Sequence, residues 1–204
     1  MTLVLPVPAP VRRSPAQKRS QDRITSLLDS TARLVDESGV HSVTTTDIAR
    51  ESRSSVGVIY RYFPNVTSLV DALTVRNVRV FSDRLEAAVE GEQCTWDAAA
   101  HAIIDVLAAL MQHEPGFRVV GLGDSHHQGA RRDSLNRVYL AHSIADQLHD
   151  EYRTLSSDDL VFHVDVAIEI AYGLLRRAFA EEGEARDRLL RQATEMVVGM
   201  VPQA

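Results

Sequence analysis

The run Thr44-Thr45-Thr46, Arg53-Ser54-Ser55-Val56-Gly57 and Tyr60-Arg61 concentrates side chains able to grip a polyanion. Hydroxyl and N–H groups at Thr44, Thr45 and Thr46 can cap a helix and hold a phosphate. Ser55, Val56 and Gly57 open a second short helix, the end that meets base edges when such a helix enters a major groove. Gly57 there costs about 1 kcal/mol against alanine, which either close approach to a duplex or close helix packing explains. Other residues suggest other chemistry. His101, Tyr139, His142 and Tyr172 interrupt apolar faces, and Met111 and Phe117 border a break, the composition of a small-molecule pocket. His142, Asp146 and His149 fall at i, i+4 and i+7 with His126-His127 upstream, but eight histidines yield such spacings by chance, so no metal is expected. Ser-His-Asp ordering, a phosphate-cradling glycine loop and paired cysteines are all missing, so neither catalysis nor a cofactor is expected.

The elements that position these residues are helical. Thr44–Phe63 holds two short apolar-periodic pieces, Ile48-Ala49 and Val56, Ile59, Tyr60, separated by the polar turn Ser52–Ser55. Before them, residues 21–38 carry Ile24, Leu27, Leu28, Leu34 and Val35 on one face and stop at Gly39. After them Pro64-Asn65 breaks the chain, Asn65 being a good N-cap for a long helix over 66–89. Further helices are expected over residues 96–113 and 130–155, in a short piece after Gly116, over 159–182, and after Gly183. Alternating runs are few, and no hairpin dipeptide stands between apolar segments. The predicted fold is all-α: a disordered basic arm over 1–20, a three-helix helix-turn-helix head over 21–66, and a larger helical ligand-binding and dimerisation domain over 67–204.

The helix over 159–182 is apolar on two sides, and a second side needs a partner. A homodimer through the last two helices is expected, using Ile168, Leu175 and Phe179 with Leu189, Met196 and Val197.

Charge fits a reading head at one end. The 204 residues carry a net charge of −6, but residues 1–63 hold nine Lys and Arg against six acids, and the rest thirteen against twenty-two. One cysteine, Cys94, precludes an intrachain disulfide, and no apolar run approaches the roughly 20 residues that span a bilayer. A cytoplasmic protein without membrane contact is expected.

With these residues in order, the front resembles the tetracycline-repressor (TetR) family of bacterial regulators. The matching positions are Leu34-Val35, Gly39-Val40, Thr45 or Thr46, Ile48-Ala49, Ser55-Val56-Gly57, Tyr60, Tyr62-Phe63 and Pro64-Asn65, gap-free from about Arg23 to Leu73. The resemblance implies a dimeric transcriptional regulator bound to double-stranded DNA, with Tyr60 and Arg61 on the DNA backbone and an inducer pocket in the rear domain. It points to a repressor released by a small-molecule inducer. Three positions depart from the family: Arg53 stands for the usual glycine of the turn, Ser54 for an apolar residue, and Val66 for a lysine. Arg53 and Val66 motivate the alternative of a helical small-molecule or protein-binding module with a degenerate DNA-binding head.

Overall fold

The computed structural model describes residues 15–89, 95–122, 141–142, 144–146, 148 and 156–200. Within them the secondary structure is helical and contains no strand. In chain order stand α1 (Pro15–Ser38), a 3₁₀ turn (Val40–Ser42), α2 (Thr45–Glu51), α3 (Val56–Tyr62), α4 (Val66–Val89), α5 (Trp96–His113) and α6 (Phe117–Val120). Residues 141–142, 144–146 and 148 are also helical, and α7 (Ser157–Ala178) and α8 (Gly183–Val198) follow.

The first element corrects the sequence reading. Residues 15–20, expected in a disordered arm, form the opening turns of α1. Proline is tolerated at a helix start, where its missing N–H has no intrahelical partner to lose. Residues 1–14 lie outside the described residues. No helix among the described residues is long and apolar enough to cross a membrane.

Two buried clusters organise the chain. The head core gathers Leu27 and Val35 of α1, Ile48 of α2 and Ile59 of α3. The rear core joins α5, α7 and α8 around Ile103, Leu107, Val164 and Leu175. The Trp96 indole N–H ties the start of α5 to the end of α8, donating to the Val198 carbonyl at 2.9 Å.

Helix α4 belongs to both clusters. Leu69 and Leu73 are buried in the head, and Val78, Phe81 and Leu85 in the rear. Four-residue α6 is shared too, with Phe117 in the rear core and Val120 in the head core. A division near residue 66 therefore describes the sequence better than the packing.

Candidate nucleic-acid interface and regulatory core

Local hydrogen bonding builds the reading head. Thr44 caps α2: its hydroxyl accepts from the Asp47 N–H at 3.2 Å and donates to the Asp47 carboxylate at 2.6 Å. The carboxylate in turn accepts from the Thr44 N–H, closing a capping box. The hydroxyl of Thr44 is thus engaged within the helix, leaving those of Thr45 and Thr46 as the ones not committed to that box. The Thr44 hydroxyl, with help from its N–H and from Arg50, holds the Asp47 carboxyl below its ordinary value. A lowered pKa contributes stability that is complete above the ordinary carboxylate value and is lost as pH falls through the lowered one. Asp47→Asn should therefore lower the melting temperature at neutral pH, where the charged carboxylate contributes, and flatten its acid limb below about pH 4, so that variant and wild type converge in acid. A parallel acid limb in calorimetry would contradict this.

Helix α2 ends in a paired motif. The Arg53 N–H donates to the Arg50 carbonyl and the Ser54 N–H reaches back to Ala49 at 2.9 Å. That closure needs a left-handed residue, and Arg53 supplies it with φ 51°. A non-glycine side chain pays about 1–2 kcal/mol for this conformation, so the turn keeps its geometry with an exposed cation where glycine would be cheaper. Ser55 then caps α3, accepting from the Val58 N–H at 3.3 Å. Asn65 caps α4, accepting from the Ser68 N–H at 2.8 Å.

Gly57, Tyr60 and Arg61 stand at i, i+3 and i+4 of α3, which puts them on one face. All three are exposed, Tyr60 by 54%. Val56 is turned aside and packs partly on the head core, and Ser54 is half-buried. These two join the expected face through backbone position more than through side chains. Tyr62 and Phe63 likewise pack against the head core.

In the rear domain the expected pocket residues separate. Met111, Phe117 and Tyr172 are buried in one cluster, and the Phe117 and Tyr172 rings meet edge to face at 6.5 Å. His101 is instead exposed, with Nδ1 2.8 Å from the Asp97 carbonyl oxygen of the preceding turn. His142 is exposed as well. Both are corrected: each lies on the solvent side of its helix. Tyr139 and His149 lie outside the described residues. Among those described, no three His, Cys, Asp or Glu residues are placed to hold a metal ion.

The expected interface residues also divide. Ile168, Leu175 and Val197 are fully buried within the single chain, so their side chains have nothing left to offer a partner. The apolar stripe carrying them faces this chain's own core. Phe179 is half-buried and carries the Arg186 guanidinium 4.8 Å above its ring. Leu189 is half-buried, and Met196 is exposed. The outer face of α7 presents Phe162, 65% exposed, and Gly173, where an added Cβ meets nothing within 4 Å. Val166 and Ile170 lie half-buried beside them.

Sequence reasoning missed the joint between the domains. Asn77 of α4 is buried and its side-chain amide donates to the Gly121 carbonyl at 3.2 Å. Gly121 has φ 52°, and a Cβ there would lie 1.6 Å from the Tyr172 hydroxyl oxygen. At the other end of α6, Gly116 has φ 74°, and its added Cβ would fall 2.8 Å from the Ala32 carbonyl oxygen of α1. Backbone-to-backbone contact at one end and backbone-to-ring contact at the other hold α6 between head and rear. Ion pairs Arg118–Asp36 and Arg76–Asp29 bridge the same joint at 3.7 and 2.6 Å. The only sequence signal was the glycine spacing around Phe117–Val120.

The comparisons with known proteins agree with this geometry. A profile described as bacterial regulatory proteins, tetR family, matches residues 27–73. One described as tetracyclin repressor-like, C-terminal domain, matches residues 94–203. A TetR-family transcriptional regulator from Streptomyces coelicolor has a similar structure, with a TM-score of 0.70 and 25% identity over 87% of this chain and 96% of that one. The fatty acid degradation regulator FadR from Bacillus halodurans reaches a TM-score of 0.69 at 11% identity over 95% and 100% of the two chains, a likeness of fold. Nucleoid occlusion factor SlmA of Haemophilus influenzae is 26% identical over 113 residues, 55% of this chain, and the match spans about half the length of that relative, 50%. Regulators of this family bind DNA and act as dimers. With a capped helix-turn-helix at its front and an all-helical body behind it, this chain belongs to the tetracycline-repressor (TetR) family of DNA-binding transcriptional regulators.

Proposed function

We propose that the chain is a homodimeric, ligand-responsive repressor that reads a two-fold symmetric duplex site in the cytoplasm and is released by a small molecule. The observation that carries this reading is the shared use of α4 and α6 by both cores. A ligand that moves Phe117 and Tyr172 cannot leave α6 in place, because Gly121 rests on Tyr172 and Val120 on the head core. Asn77 passes the same movement to α4. Two heads displaced by a few ångströms no longer match half-sites a fixed number of helical turns apart. A ligand that binds the free and DNA-bound shapes equally shifts nothing.

Selection of bound fragments from a random duplex pool tests the reading function. A two-fold symmetric consensus supports a dimeric reader, and recovery of no common sequence rejects it. Responsiveness is tested by screening small molecules for thermal stabilisation and measuring duplex affinity for each hit. Coupling must be reciprocal, with each binder weakening the other by one factor. Stabilising hits that all leave duplex affinity unchanged would reject release by ligand.

The dimer face supported by exposure is Phe162, Val166, Ile170 and Gly173 of α7 with Met196 of α8. A two-fold interface meets every substitution twice. Phe162→Glu should therefore raise the dimer dissociation constant on the order of a hundredfold, as loss of an interface aromatic does. Sedimentation showing an unaltered dimer would move the interface elsewhere.

A further inference from the structure

Cations gather at the front of the sequence. Arg12, Arg13, Lys18, Arg19 and Arg23 fall within twelve residues, and Asp22 is the first acid of the chain. Further along, no Lys or Arg stands between Arg61 and Arg76. Because α1 begins at Pro15, Lys18, Arg19 and Arg23 ride on an ordered helix, and all three are exposed. Their i, i+1 and i+4/i+5 spacing gathers them, with Asp22, on one side of it.

That helix is tied to the reading element at two points. The Ser20 hydroxyl donates to the Tyr62 hydroxyl at the end of α3, at 3.4 Å. Arg23 Nη1 donates to the Ser54 hydroxyl just before the start of α3, at 3.3 Å. Lys18 and Arg19 lie about 1.5–3 Å further along the α1 axis than Ser20. Lys18 and Arg19 thus precede Ser20 on the side of the Tyr62 contact, with Lys18 turned away from α3, and Arg23 stands at the Ser54 end.

We propose that Lys18, Arg19 and Arg23 form a phosphate-binding rail that holds the duplex backbone beyond the base pairs read by α3. The proposal rests on the DNA-binding reading and extends it from the helix-turn-helix to α1. Charge complementarity selects the occupant: three cations and one acid face outward here, and Arg53 and Arg61 are exposed on the head's turn and α3. Such contacts add affinity without sequence preference and steepen the salt dependence.

Lys18 is the only lysine in the chain, which makes a selective test available. A duplex selected by the wild-type chain from a random pool is added, and an amine-specific acylating ester is used with the α-amino group as internal reference. Bound duplex should slow Lys18 acylation several-fold, read by mass spectrometry. Lys18→Gln with Arg19→Gln should lower the slope of log affinity against log salt by about two units, with the preferred sequence unchanged. Retained preference separates this from a folding defect, since both side chains are solvent-exposed. Wild type should also lose affinity when base pairs flanking the consensus are trimmed, and the double variant should lose much less. An unprotected Lys18 and an unchanged slope, with wild type still binding its duplex, would overturn the rail and spare the DNA-binding reading. Failure of the wild type to select any duplex would overturn both.

Discussion

Gly121→Ala should lower stability by about 3 kcal/mol or more, combining strain at a positive φ with overpacking in a filled core. For a chain of this size that is roughly a 6–12 °C fall in melting temperature. The methyl carbon would overlap the Tyr172 ring at three atoms, at 1.6, 2.2 and 2.7 Å from Oη, Cζ and Cε2. The ring has little freedom to retreat, being buried and edge-on to Phe117. Tyr172→Phe removes only the hydroxyl and leaves the 2.2 Å overlap, so it should rescue little. Tyr172→Ala removes the obstacle but opens a cavity costing about 3–5 kcal/mol by itself. A double-mutant cycle between Gly121→Ala and Tyr172→Ala should show favourable coupling of about 1–3 kcal/mol, because contacting residues are not additive. Additive costs would mean that Gly121 matters only for its backbone conformation. The substitution should also change duplex affinity, since the carbonyl displaced with it is the one held by Asn77 of α4.

The features legible in the sequence were those fixed within one turn of chain. Thr44, Ser55 and Asn65 cap their helices through bonds to residues three positions ahead, and such spacings are visible without a fold. Residues 15–20 were misread because the partner that ties α1 down there, Tyr62 against Ser20, is 42 positions away. Periodicity showed that the helix after Ser156 has two apolar sides. It did not show which side this chain itself covers. Ile168 and Leu175 were therefore expected at the interface, although both are spent on the rear core, and the exposed Phe162 was not singled out. His101 and His142 failed for a related reason. A histidine at the edge of an apolar stripe satisfies the pattern whether its helix turns it inward or outward. The α6 joint depends on Ala32, Asn77 and Tyr172 converging from three helices, and none of them stands near it in sequence.

Gly57 separates stability from recognition most cleanly. Close helix packing would explain a glycine in α3, but a Cβ built there meets only the Ser55 hydroxyl oxygen, at 3.9 Å, and the residue is exposed. Its backbone is outside the positive-φ region, so alanine fits the conformation it already has. Gly57→Ala should therefore stabilise the protein by about 0.4–1 kcal/mol through the unfolded chain. The same methyl group stands on the face with Tyr60 and Arg61, which we propose meets the duplex, and close contact there would leave no room for it. Duplex affinity should fall about tenfold to a hundredfold, the 1–3 kcal/mol that an overpacked contact costs. Thermal unfolding and titration of the selected duplex give the two signs independently. A stabilised variant that binds as tightly as wild type would mean that the base-reading face lies elsewhere on α3. A destabilised variant would mean that the open space around Gly57 is filled in the folded protein. Opposite signs would mean that the glycine, which conflicts with helix stability, is there for close approach to a duplex.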